Sequence, residues 1–159
     1  MSSIDEFRSS KAIREWPIVL LRVYTGIFFL SHGWGKITNP NFSDGLVGFL
    51  GSVSENTFGF YRPFLEAVVL TNKGLFAFLV AYGELALGIA LILGLATRYA
   101  AFAGAFLLAN FWFAKGQGIL AGQNHDIIWL VILIVLGGLH AGRTMSLDQK
   151  LVGRFKFLA

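Results

Sequence analysis

The 159-residue chain contains no cysteine, and only 14% of its residues are charged. Without a thiol it has no disulfide framework, no thiolate-held zinc or iron–sulfur cluster, and no cysteine nucleophile or persulfide carrier. The shortage of charge excludes a further class. Soluble domains hold about one quarter charged residues and about 45–50% apolar ones. Here AVILMFWYC alone make up 55%, before 19 glycines are counted, and the mean hydropathy is +0.66. A chain this short has too little interior to hide so much apolar surface, so much of it must face lipid or other subunits. The length allows one domain, residues 1–159, with four or five membrane crossings at about 20 residues each. A net charge of +4 comes with no basic run, so no nucleic-acid partner is expected; membrane topology accounts better for the basic residues.

What is present divides into four apolar segments. The first 15 residues are polar and mixed in charge, with no apolar run of the kind a cleavable signal peptide needs. From Trp16 the sequence WPIVLLRVYTGIFFLSHGWGKI predicts a first span over 16–37, with Pro17 suited to its first turn. Residues 38–54 are too short to span and too apolar for a free loop. Together with 57–72, where Pro63 stands near a helix start, they suggest interfacial or re-entrant helices. Further spans are expected over 74–96, 99–115 and 124–142. The tail after Arg143 has Leu147, Leu151, Phe155 and Leu158 beside Lys150, Arg154 and Lys156, the pattern of a basic amphipathic helix on a membrane surface. The fold class is therefore an all-α membrane protein, a four-transmembrane-helix bundle with interfacial helices in its first outer loop. Small-residue stripes Ala86, Ala90, Gly94 and Ala101, Ala105, Ala109 would let the spans approach closely. Four spans put both termini on one side. That side carries eight basic residues in short segments against Lys36, Arg62, Lys73 and Lys115 on the other, so both termini are expected in the cytoplasm.

Scarcity makes the polar residues of the spans informative, because a charge at mid-bilayer costs on the order of 3 kcal/mol on insertion scales. At about 1.5 Å per residue, His32 and Lys36 lie in the outer part of the first span, Asn110 in the outer part of the third, and His125 with Asp126 at the outer end of the fourth. Glu84 is near the middle of the second. These residues can converge on one pocket open to the outer face. Arg22 lies deeper, within reach of Glu84, while Arg98 and His140 sit at the cytoplasmic end. Structural roles stand beside each functional one. Arg22 and Glu84 can neutralise each other, Lys36 can snorkel outward, His32 can bond a backbone carbonyl, Asp126 can cap the fourth helix, and Arg98 can anchor topology. His32 and His140 fall at opposite surfaces, too far apart to share a haem iron, and Glu84 with Asp126 are too few carboxylates for a di-metal site, so no metal is assigned.

At these residues the chain resembles the DoxX superfamily of small four-helix membrane proteins, and within it the DoxD-like members. The matching elements are LLRVYTGIFFLSHGWGKI, the block GELALGIALILGLATRYAAFAGAFLL with Glu84, Gly88, Gly94, Thr97 and Arg98, and a short last span followed by a basic tail. The resemblance implies the membrane subunit of a quinone-linked oxidoreductase, with the thiosulfate:quinone type as its best-defined example; the expected location is the plasma membrane, the inner membrane of a bacterium or archaeon, crossed several times. It implies a site carried by His32, Lys36, Glu84 and Arg98. On this reading Glu84 and His32 are the catalytic candidates, and Lys36, Asn110, Asp126 and Arg98 bind substrate. The cofactor the residues admit is a non-covalent quinone, and the partners are the lipid bilayer with protein subunits or further copies of the chain. The alternative is a non-catalytic scaffold subunit of a larger respiratory or photosynthetic complex. A small-solute carrier ranks third.

Overall fold

The computed structural model describes residues 3–139, 141–143 and 145–151, and among these every regular element is helical. The long helices are α1 (Ser3–Ile37), α4 (Lys73–Leu93), α5 (Thr97–Lys115) and α6 (His125–Gly138). Between the first two lie α2 (Phe42–Val53), α3 (Arg62–Phe64) and a π-helical turn over Leu65–Val69. A 3-10 turn, Ala141–Arg143, and a short α7, Leu147–Leu151, follow α6. Two segments, Glu15–Ile37 and Lys73–Leu93, are long and apolar enough to cross a membrane. By length alone α5 reaches about 28 Å and α6 about 21 Å at 1.5 Å per residue.

Several boundaries differ from the sequence expectation. Pro17 does not open the first helix; it lies inside a continuous α1, where its ring forfeits one hydrogen bond to the preceding turn and the helix runs on. The second span stops at Leu93 because Gly94 adopts the left-handed conformation, with φ of 66°. Pro63 does stand in the first turn of a helix, at the start of α3. Phe155, Leu158, Arg154 and Lys156 of the expected amphipathic tail lie outside the described residues, as does His140.

The helices associate as two close pairs, α1 with α4 and α5 with α6. The first pair is antiparallel and packs almost backbone to backbone. A methyl group added at Gly33 would meet the carbonyl of Ala81 at 2.9 Å, and one at Gly88 would meet the Cα of Leu30 at 2.7 Å. Gly33 and Gly88, rather than the expected stripe, form this seam: Ala86 is exposed and Ala90 only half-buried. The stripe on α5 behaves as expected at two of its three positions, with Ala101 and Ala105 buried. The core between the pairs is Phe29, Leu87, Leu91, Leu108, Leu133 and Leu136 with those two alanines. A smaller cluster of Leu50, Leu65, Val69 and Ala114 joins the segment between α1 and α4 to α5. Lys73 holds α2 to the start of α4 through a 2.8 Å ion pair with Asp44, and that contact keeps the Asp44 carboxyl below its usual range.

At the opposite end from Lys36 the chain after α6 folds back under the bundle. Asp148, buried, accepts from the backbone amides of Ala96 (2.6 Å) and Thr97 (2.8 Å), capping α5 from a distance. The free N–H groups and dipole of a helix start favour an anion there. Arg22, fully buried, donates to the carbonyls of Ala141 (2.7 Å) and Met145 (2.8 Å). The described part of the tail is thus tied to the end of the bundle by these bonds.

Two predictions follow from the seam and the cap. Gly88→Ala lowers stability in detergent by about 1–3 kcal/mol, the usual cost of overpacking, whereas Gly83→Ala, inside the same helix with open space around it, does not lower the melting temperature, since alanine suits a helix interior better than glycine. Asp148→Ala costs about 1–2 kcal/mol, as lost caps do, and speeds hydrogen exchange at Ala96 and Thr97 ahead of the rest of α5.

Candidate functional site

The register of α1 against α4 decides which charges meet. Because Gly33 lies beside Ala81 and Leu85, Glu84 falls next to the last turn of α1, and its carboxylate takes an ion pair from Lys36. The Glu84 side chain is 4% exposed and that of Lys36 23%. The expected Arg22–Glu84 pair does not form. Eleven residues separate Arg22 from Gly33 on α1, about 16 Å along a helix, and Arg22 lies instead against Gly94 at the far end of α4. Lys36 therefore reaches inward to a buried acid rather than snorkelling to the surface.

A second pair faces the first from the other half of the bundle. Lys115, the last residue of α5, places Nζ 2.8 Å and 3.0 Å from the two carboxylate oxygens of Asp126 in the first turn of α6. Asp126 is not the cap of α6. That role falls to Asn124, whose side chain accepts from the amide of Ile127 at 3.3 Å, which leaves the Asp126 carboxylate for Lys115. Both lysines also lie near aromatic faces, Lys36 at 5.7 Å from the Phe111 ring centre and Lys115 at 5.9 Å from that of Phe49.

Between the pairs is a cavity of about 420 Å³, bounded by His32, Lys36, Glu84, Lys115, His125 and Asp126, with Phe28, Phe111 and Trp129 among its aromatic walls. Its size falls within the range of about 300–1,000 Å³ usual for small-molecule sites. Phe28 stacks on Trp129 at 3.9 Å and lies 4.1 Å from the His32 ring, fixing an aromatic wall that joins α1 to α6. Nδ1 of His32 is 2.8 Å from the carbonyl of Phe28. A carbonyl only accepts, so Nδ1 carries the proton, and in the neutral ring Nε2 is the acceptor. His32 and His125 are exposed at the rim, while Glu84 and Asp126 are buried.

Of the residues singled out from sequence, His32, Lys36, Glu84, His125 and Asp126 come together. Asn110 does not join them. It accepts from the Tyr61 hydroxyl at 2.6 Å and donates to the carbonyl of Phe106 at 2.7 Å, lining a separate apolar pocket. Burial pushes the Tyr61 hydroxyl above its ordinary range, so it stays protonated as the donor. Arg98 is exposed in the first turn of α5, 17 residues or about 25 Å from Lys115 along one helix, and takes no part in the cavity. Sequence reasoning missed Lys115, counted only as a basic residue of the outer side, and the wall residues Phe28, Phe111 and Trp129. The one available signal for Lys115 was its position at a helix end facing the acid-bearing start of the next. Among the described residues no three His, Cys, Asp or Glu gather in a metal-ligating group.

The DoxX family model matches residues 18–116, well over half of the chain. No curated protein and no solved structure matches it. The chain belongs to the DoxX family, a family of membrane proteins.

The unequal exposure of Lys36 and Glu84 predicts unequal costs. Lys36→Met strands a buried carboxylate and costs about 3–5 kcal/mol. Glu84→Leu leaves a lysine that can reach the surface and costs about 1 kcal/mol. The double substitution costs less than Lys36→Met alone. Chemical unfolding of the four proteins in one detergent measures all three differences.

Proposed function

We propose that this membrane protein is the integral membrane subunit of a quinone-linked oxidoreductase, with α1, α4, α5 and α6 as four membrane crossings and both termini in the cytoplasm. The observation that carries the reading is the cavity itself: two ion pairs and two histidines set around aromatic walls at one end of the bundle. Quinone carbonyl oxygens need hydrogen-bond donors, and Lys36, Lys115 and a protonated histidine are donors. A flat ring needs apolar faces, and Phe28, Phe111 and Trp129 are such faces. The residues present thus fit a quinone head group, whose chemistry when bound is two-electron, two-proton transfer.

The chain's own residues have distinct tasks on this reading. Glu84 and Asp126 keep the two ammonium groups in place and compensate their charge. Nε2 of His32, the ring nitrogen left free at the rim by the Nδ1 contact to Phe28, takes up or releases protons at the cavity mouth. The lysines can also draw a small anion to the mouth. The resemblance to DoxD-like members supports thiosulfate as the electron donor; with no cysteine in the chain, covalent sulfur chemistry belongs to a partner subunit.

In the complex purified from native membranes, Glu84→Gln and His32→Ala lower quinone-dependent turnover at least tenfold with assembly unchanged, and Arg98→Gln does not. A tailless benzoquinone quenches the fluorescence of wild-type protein and fails to do so in Trp129→Phe. Full turnover in both cavity variants, together with absence of quenching, overturns the assignment and leaves a scaffold role.

A further inference from the structure

A second cavity, of about 240 Å³, lies between the interfacial segment and the bundle, walled by α2, α3, the π-helical turn, α4 and α5. Apart from Tyr61 and Asn110 its lining is wholly apolar. Those two side chains are satisfied by each other and by the carbonyl of Phe106. A buried water needs about two to four polar partners, and this pocket offers few. Its size is ample for hydrocarbon, since an apolar cavity of about 150 Å³ already takes benzene. Leu65 and Val69, both buried, reach it from the π-helical turn, a local widening of the helix that recurs at functional sites. Phe111 borders both this pocket and the polar cavity, so the two compartments share a wall.

We propose that this pocket is the seat of a single hydrocarbon chain, with the Tyr61–Asn110 hydrogen bond closing off its polar atoms. Two sources have that chemistry: the tail of an amphipathic ligand whose head lies across Phe111 in the polar cavity, or an acyl chain of a bilayer lipid. The first source rests on the quinone site proposed above; the occupancy of the pocket does not.

The test uses the full chain in lipid nanodiscs with two probes, each bearing a diazirine near the end of a ten-carbon chain: one on a benzoquinone head, one in a phosphatidylcholine. After irradiation, labelled residues are mapped by mass spectrometry. The expected result is labelling of Leu65 and Val69 that falls at least tenfold in Ala114→Phe, which fills the pocket from α5. Leu46→Trp, at a half-buried wall position on α2, has the same effect without disturbing a buried residue. Labelling of Leu75 and Phe78, exposed on α4, stays constant. Pocket labelling by the quinone probe alone assigns the chain to the ligand of the polar cavity. Pocket labelling by the phospholipid alone assigns it to lipid and counts against the quinone site without harming the pocket. Labels confined to Leu75 and Phe78 with both probes, or pocket labels that persist in both filled variants, overturn the proposal.

Discussion

The α1–α4 pair rests on the meeting of two helix backbones at Gly33 and Gly88, where no room remains for a Cβ. A seam without side chains leaves little freedom in the sliding of one helix on the other, because any shift brings a larger residue into the gap. That register has two consequences at opposite ends of the bundle. At one end it delivers Lys36 to Glu84. At the other it lays Arg22 beside Gly94, within reach of the carbonyls that follow α6.

Charge is handled differently at the two ends. Around the cavity each buried acid has a lysine whose own side chain is partly exposed, so the pairs compensate burial while the cations remain available to a solute. At the other end, Asp148 accepts from amides that the α5 start leaves unsatisfied, and Arg22 donates to carbonyls of the chain that follows α6. The first arrangement suits binding, the second suits holding the tail in place. Between them the core of leucines and alanines keeps the two helix pairs together. The segment between α1 and α4 contributes the apolar compartment beside the polar one, and it is fastened to the bundle by Thr57, which donates to the carbonyl of Ala114 at 2.6 Å.

Much of the candidate site was legible before any coordinates. His32, Lys36, Glu84, His125 and Asp126 stood out because polar groups in apolar segments are costly, and their depths could be counted along helices of known rise. Lys115 and Trp129 escaped notice because nothing local distinguishes them from an ordinary helix-end cation and an ordinary interfacial aromatic. Asn110 and Arg98 were legible as polar residues and still belong elsewhere. Depth is a single coordinate, and two residues at one depth can face different neighbours.

The sequence by itself determined that this is an all-helical chain built from long apolar segments, with a few polar residues set within them. Hydropathy, charge count and helical rise are local quantities, so one chain suffices to read them. Which cation meets which acid was decided only by tertiary structure. Lys36 rather than Arg22 pairs with Glu84, and Lys115 rather than the α6 amides takes Asp126, because pairing depends on the relative sliding and rotation of helices. Those are set by where the backbones can touch, and glycine spacing on one helix acquires meaning only when the helix it faces is known.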